Sequence, residues 1–216
     1  MEKNPREGWL TSAFEQSRNK FQQLSPEMIS KVTLLPYDQV TNCFTVDSFG
    51  HKIQISYPEG RVFFKDSEEK PISIYWELIL LNYLSHATEI PLHNEWVSYR
   101  ELPHGNLYYR NIMKGALEPL GRFFAECDKA LVPIILTKLG FVLLDAKADV
   151  AASGEFVPRV PVLIQFWEGE EGIPSTCQIL FDRTISDQMH IEDTGALCRL
   201  IKGLILEQYA IEKNMD

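Results

Sequence analysis

The chain has 216 residues, 45% hydrophobic and 24% charged, a balance that supplies a buried core and leaves little room for a large disordered fraction. Its formal charge of −9 and isoelectric point near 5.1 work against a phosphate backbone or an anionic membrane surface, both of which attract clustered Lys and Arg. No apolar run reaches the roughly 20 residues that span a bilayer, since the longest, Ile72 to Leu84, is broken by Ser73, Glu77 and Asn82. Met1-Glu2-Lys3-Asn4-Pro5 also lacks the apolar core of a secretory signal. One cytoplasmic domain over 1–216 is expected, with a helical lead-in at 1–34 and a core at 35–209.

In chain order, Trp9 to Leu24 carries a loose helical stripe through Trp9, Leu10, Ala13, Phe14 and Phe21, and Ser25-Pro26-Glu27 starts a second short helix. From Asp38 to Lys65 the period becomes two: Val40, Phe44 and Val46, then Ile53, Ile55 and Tyr57, then Val62 and Phe64, separated by turns at Gly50 and Gly60. That alternation predicts a three-stranded antiparallel meander. Ile72 to His86, after Pro71, is apolar on nearly every side and predicts a helix in the middle of the core, with Glu77 and Asn82 as its polar exceptions.

Trp96 to Gly105 reads as a short extended piece ending in a turn, followed by two or three helices up to Leu139, with Pro119 and Pro133 starting or kinking them and Gly140 closing the last. Phe141 to Asp145 reads as a strand and Ala151-Ala152-Ser153-Gly154 as a small-residue loop. Val160 to Trp167 and Cys177 to Phe181 form a second hairpin, and Glu192 to Glu212 is an amphipathic helix with acids in its first turn. The class predicted is α+β: an antiparallel sheet of hairpins and meander packed with several helices in a single domain.

The four cysteines, Cys43, Cys127, Cys177 and Cys198, are far apart and contain no Cys-x-x-Cys pair, which predicts small buried thiols. No phosphate loop, Gly-x-Gly-x-x-Gly, His-Glu-x-x-His or Gly-x-Ser-x-Gly is present. Two constellations remain. The first places Trp96, Tyr99, Arg100, Glu101 and His104 within ten residues: a guanidinium suited to carboxylate or phosphate, and an imidazole able to move protons near neutral pH. It runs directly into the helix start Asn106 to Arg110, whose backbone N–H groups extend an anion site. The second comprises Trp167, Glu168, Glu170 and Glu171 at a hairpin tip, Asp182 at a strand end, and Asp187, His190, Glu192 and Asp193 before the last helix. One histidine is thin support for a transition metal, so no metal ligands are assigned and the cofactor stays open.

Leu80-Leu81-Asn82-Tyr83-Leu84, Ile90-Pro91-Leu92 and Trp96 to Gly105, with Pro161 to Glu170, Ile179 to Asp182 and Ile191-Glu192-Asp193, resemble an uncharacterised prokaryotic domain-of-unknown-function family found mainly in anaerobes. Some of its members carry an appended cysteine-rich iron–sulfur segment and occur among corrinoid or methyl-transfer genes. The resemblance therefore implies a role accessory to corrinoid or metalloenzyme metabolism, although this chain has no such segment. Where the resemblance implies a hydrophobic-aromatic residue before the acidic pair, Met189-His190-Ile191 stands instead, so His190 is read as particular to this chain.

The leading functional expectation is a domain that binds a small molecule or cofactor. Trp96, Tyr99, Arg100, Glu101 and His104 would line one side of the site and Trp167, Glu168 and Asp182 another. Aromatic faces with one cation suit a partly planar, anionic ligand. The alternatives are an enzyme using His104 or His190 with Glu101 or Asp182 as acid–base pair, and a non-catalytic subunit that binds a protein partner or a second copy.

Overall fold

A computed structural model describes the backbone of residues 5–214 and the side chains of residues 12–214. Trp9 and Leu10, expected on the first apolar stripe, have side chains outside the described residues. The class is α+β, built on two antiparallel sheets. Contacts divide the chain into two compact units, the first holding the chain up to Val46 and Lys52–Glu89, the second Asp47–His51 and everything from Ile90.

In the first unit, α1 (Pro5–Gln22) is followed by α2 (Pro26–Thr33). Ser25 caps α2 by accepting the Met28 N–H at 3.2 Å, and Pro26 sits at the first helical position, where no N–H is needed. The first sheet has four strands in the order β1 (Tyr37–Asp38), β2 (Cys43–Ser48), β3 (His51–Ser56) and β4 (Val62–Phe64). The expected three-stranded meander thus gains a short outer strand. It also loses Val40, which is 91% exposed: the Asp38 carboxylate accepts from the Val40 N–H and the Thr41 hydroxyl, and this local bonding holds a turn where strand was expected.

Helix α3 (Ile74–His86) starts two residues later than the apolar run suggested, leaving Ile74 and Tyr75 half exposed while Trp76, Ile79, Leu80, Leu81, Tyr83 and Leu84 are buried. Its polar exceptions face α1: Arg18 donates to Glu77 at 3.2 Å and the Ser17 hydroxyl to Asn82 Oδ1 at 2.5 Å. Burial raises the Glu77 carboxyl and the Arg18 guanidinium opposes that rise.

The second unit carries a five-stranded sheet in the order β5 (Trp96–Ser98), β9 (Thr176–Asp182), β8 (Pro161–Trp167), β7 (Val150–Glu155) and β6 (Val142–Leu143). Strand β7 occupies the segment expected to be a loop. Its alanines, serine and glycine have weak strand propensity, but six residue pairs with β8 override it. Small size is what the position needs, because a Cβ on Gly154 would sit 2.8 Å from the Phe141 ring. In the same unit the turn residues Phe49 and Gly50 both have positive φ (45° and 75°), the combination favoured for a two-residue hairpin. The Phe49 ring stacks on Phe141 at 5.2 Å.

Helices α4 (Gly105–Ile112) and α5 (Glu118–Glu126) run on through a π turn at Met113–Leu117, whose Gly115 carbonyl accepts from Lys202 Nζ at 3.0 Å. Helix α6 (Leu131–Lys138) ends at Gly140, with φ 72°, as expected of a closing glycine. After β9 come α7 (Ile185–Gln188) and the long α8 (Ile191–Lys213), with Leu197, Leu200, Ile201 and Ile205 buried. Lys138 and Glu212 tie α6 to α8 at 2.7 Å.

Candidate functional site

The extended piece expected through Gly105 ends at Ser98. There the hydroxyl and N–H of Ser98 donate to Glu101 Oε2 at 2.7 and 2.8 Å, and this reciprocal cap bends the chain into a single 3-10 turn over Tyr99–Glu101. The turn drives Tyr99 inward, where its hydroxyl donates to the Ile191 carbonyl at 3.2 Å. Burial pushes its phenol far above the usual range, so Tyr99 stays neutral and acts as a strut beneath α8. His104 then takes φ 62° and becomes the N-terminal flanking residue of α4.

From the other side of the unit, β9 leads through α7 to His190, which flanks α8 in the same way. Neither helix has a side-chain cap at that position. His104 and His190 line one cavity of about 370 Å³, together with Leu102, Tyr108, Ser186 and Glu192. The far end of the first constellation thus meets the far end of the second, a convergence invisible in sequence because it depends on the turn at Tyr99–Glu101 and the short α7. Helix α4 has no acid in its first turn, whereas α8 carries Glu192 and Asp193 there. The positive end of the α4 dipole is therefore the less compensated of the two.

Of the eight residues expected to line one site, this cavity receives only His104. Arg100 is exposed, bonding Asn106 Oδ1 at 3.2 Å and lying 5.7 Å from the Tyr109 ring centre. Glu101 is consumed by its cap, and its hydrogen bonds from Ser98 hold the carboxyl below the usual range. Glu101→Ala is expected to cost about 1 kcal/mol of stability in urea unfolding, with no change in ligand binding beyond what loosening of the turn causes. Trp96 is 42% exposed on the edge strand, directly opposite Asp182. Trp167 pairs with Thr176 at the other end of β9. The six residue steps from Thr176 to Asp182 put Trp167 and Asp182 roughly 20 Å apart, so they cannot share a wall. Glu168 lines a different cavity, beside Lys129.

Asp182 is buried, and its carboxylate serves the backbone. It accepts from the N–H groups of His93, Glu95 and Thr184 at 3.0, 3.3 and 2.9 Å, and from the Thr184 hydroxyl at 2.5 Å. The cysteines are free, and burial pushes the thiols of Cys177 and Cys198 up to about 12. Such thiols are almost entirely protonated near neutral pH and make poor nucleophiles. Among the described residues no group of three or more His, Cys, Asp or Glu could hold a metal ion, and no helix is long and apolar enough to cross a membrane.

The fold and cleft define an α+β protein with a two-histidine cavity between the starts of two helices. The chain belongs to the family described as Domain of unknown function (DUF3786), which matches residues 25–203. That match begins at the cap of α2, spans both compact units and ends within α8. No curated protein and no solved structure matches the chain.

Proposed function

We propose that the protein binds a small anionic molecule, carrying a carboxylate or phosphate, in the cavity between His104 and His190. The observation that carries this reading is the convergence of two uncapped helix starts, each flanked by a histidine, on one cavity of about 370 Å³. The dipole at the start of α4 favours negative charge, although its Gly105 and Leu107 N–H groups are already engaged by the Leu102 and His104 carbonyls, and the two imidazoles and the Ser186 hydroxyl supply side-chain donors. Tyr108 and Leu102 offer apolar and aromatic surface for the body of the ligand. Glu192 lines the same cavity and limits the charge it accepts, which favours a singly or doubly charged group over a polyphosphate. A phosphate- or carboxylate-bearing cofactor fits an accessory role in corrinoid or metalloenzyme metabolism, the setting implied by the family resemblance.

A second reading, acid–base catalysis on the bound molecule, is favoured by two imidazoles and the Glu192 carboxylate facing the same space. The expected result for the primary reading is saturable movement of the His104 and His190 ring signals and the Gly105 amide when the protein is titrated with inorganic phosphate or benzoate and followed by NMR. His104→Ala should weaken that binding about tenfold. Unmoved signals at about 50 mM of either anion, or unchanged affinity in a His104→Ala/His190→Ala variant, would overturn it.

A further inference from the structure

A second cavity of about 400 Å³ lies wholly within the second unit, between the start of α6, strand β6 and the edge of the β7–β8 pair. Its walls are apolar, from Val132, Leu143, Leu144, Val150 and Phe166, and its polar groups are confined to Lys129, Asp149 and Glu168. Those three are wired together. Glu168 Oε1 accepts from Lys129 Nζ at 3.2 Å, and the Glu168 N–H donates to Asp149 Oδ2 at 2.7 Å. Lys129 Nζ also donates to the Phe124 carbonyl and lies 5.1 Å from the Phe166 ring centre.

An ammonium has three N–H donors, and two of those on Lys129 are engaged by Phe124 and Glu168. The third is available to an anionic group above the Phe166 ring. Asp149 spends Oδ2 on the Glu168 N–H, which leaves Oδ1 to accept from a cation. The cavity therefore presents a donor on Lys129 and an acceptor on Asp149, both linked through Glu168, over walls suited to a branched or aromatic side chain. A purely apolar ligand would leave the third N–H of Lys129 and Oδ1 of Asp149 without partners, whereas a zwitterion supplies an acceptor for the one and a donor for the other.

We propose that this cavity is a binding site for a free α-amino acid with an apolar side chain, its carboxylate on Lys129, its ammonium on Asp149 and its side chain among Val132, Leu143, Leu144 and Val150. The site is independent of the cleft at His104. It recognises the zwitterion, which distinguishes a free amino acid from the N-terminal or C-terminal residue of a peptide, since each of those carries only one of the two charges.

The test titrates the full chain with L-leucine, L-leucinamide and N-acetyl-L-leucine while the methyl signals of Val132, Leu143, Leu144 and Val150 are followed by NMR. The expected result is saturable binding of leucine at least about tenfold tighter than either derivative. Asp149→Asn, a change at an exposed residue, should bring leucine down to the affinity of N-acetyl-leucine, and Leu144→Trp should abolish binding by filling the space. Absence of saturation by leucine at about 10 mM, equal affinity for leucine and either derivative, or full leucine affinity in Asp149→Asn would each overturn the assignment.

Discussion

Gly105→Ala is expected to destabilise the protein by about 3 kcal/mol or more and to abolish anion binding in the histidine cleft. A Cβ at this position would lie 1.9 Å from the Tyr99 carbonyl oxygen and 3.1 Å from its carbonyl carbon. Both are backbone atoms, so no flexible side-chain end can swing aside. Tyr99 is itself fixed, by its hydroxyl bond to Ile191 and by the Ser98–Glu101 cap that precedes it. The added methyl must push α4 away from the 3-10 turn, and His104 moves with it. Urea unfolding reads the stability, and the phosphate titration of the His104 and His190 rings reads the cleft. Gly203→Ala is the control: nothing lies within 4 Å of its Cβ, and in mid-helix the change should stabilise by up to about 1 kcal/mol. A Gly105→Ala protein as stable as the parent would mean that turn and helix do not approach as described.

Asp182→Ala should rank beside it, at on the order of 3–5 kcal/mol, because it strips the acceptor from several backbone N–H groups at once in a buried position. Thr184 Oγ1 also accepts from the His93 N–H at 3.0 Å, so that group keeps a partner, but the amides of Glu95 and Thr184 lose their bond to Asp182. Asp182→Asn should fall between the parent and the alanine variant, since the amide retains one acceptor oxygen and turns an NH2 toward donors. The acid limb carries a second signature. Burial raises the Asp182 carboxyl, yet the hydrogen bonds led by those from Thr184 outweigh it and hold the group below its ordinary value near 3.8. A depressed native value means that the stabilisation is complete above the unfolded-state pKa and is lost as pH falls through the native one. The parent should therefore lose stability below about pH 4 more steeply than Asp182→Asn, which has no proton to take up there. Equal slopes for the two proteins would remove the carboxylate from this role.

Both variants bear on what the sequence could reveal. The first sheet was readable because Phe44, Val46, Ile53, Ile55, Val62 and Phe64 alternate between turns that two glycines punctuate, and α2 and α8 were readable from Ser25-Pro26 and from a spaced row of leucines and isoleucines. Strand β7 was hidden because Ala151, Ala152, Ser153 and Gly154 show neither alternation nor bulk; Gly154 must be small beneath Phe141, and the segment is held as strand by its pairing with β8. Of the candidate site, the segments were legible and the grouping was not. Glu101 and Asp182 look like free carboxylates in a string of letters, and only the folded backbone shows that both are spent on nearby N–H groups. Trp167 and Asp182 belong to one hairpin, yet the seven residues of β9 act as a ruler that holds them apart. His190, which the resemblance marks as particular to this chain and which is also an acid–base candidate, lines the same cavity as His104.

The π turn at Met113–Leu117 makes the direction of the cleft a matter of counting. Removing one residue there would restore ordinary α geometry while leaving charge and core composition almost untouched, and it would swing everything upstream by about 100° around the helix axis. His104 would then leave the cavity it shares with His190 although neither histidine had been altered. The length of a segment that does not line the cleft is thus part of what the proposed anion site requires, and a one-residue deletion there should be as damaging to the proposed binding as the loss of an imidazole.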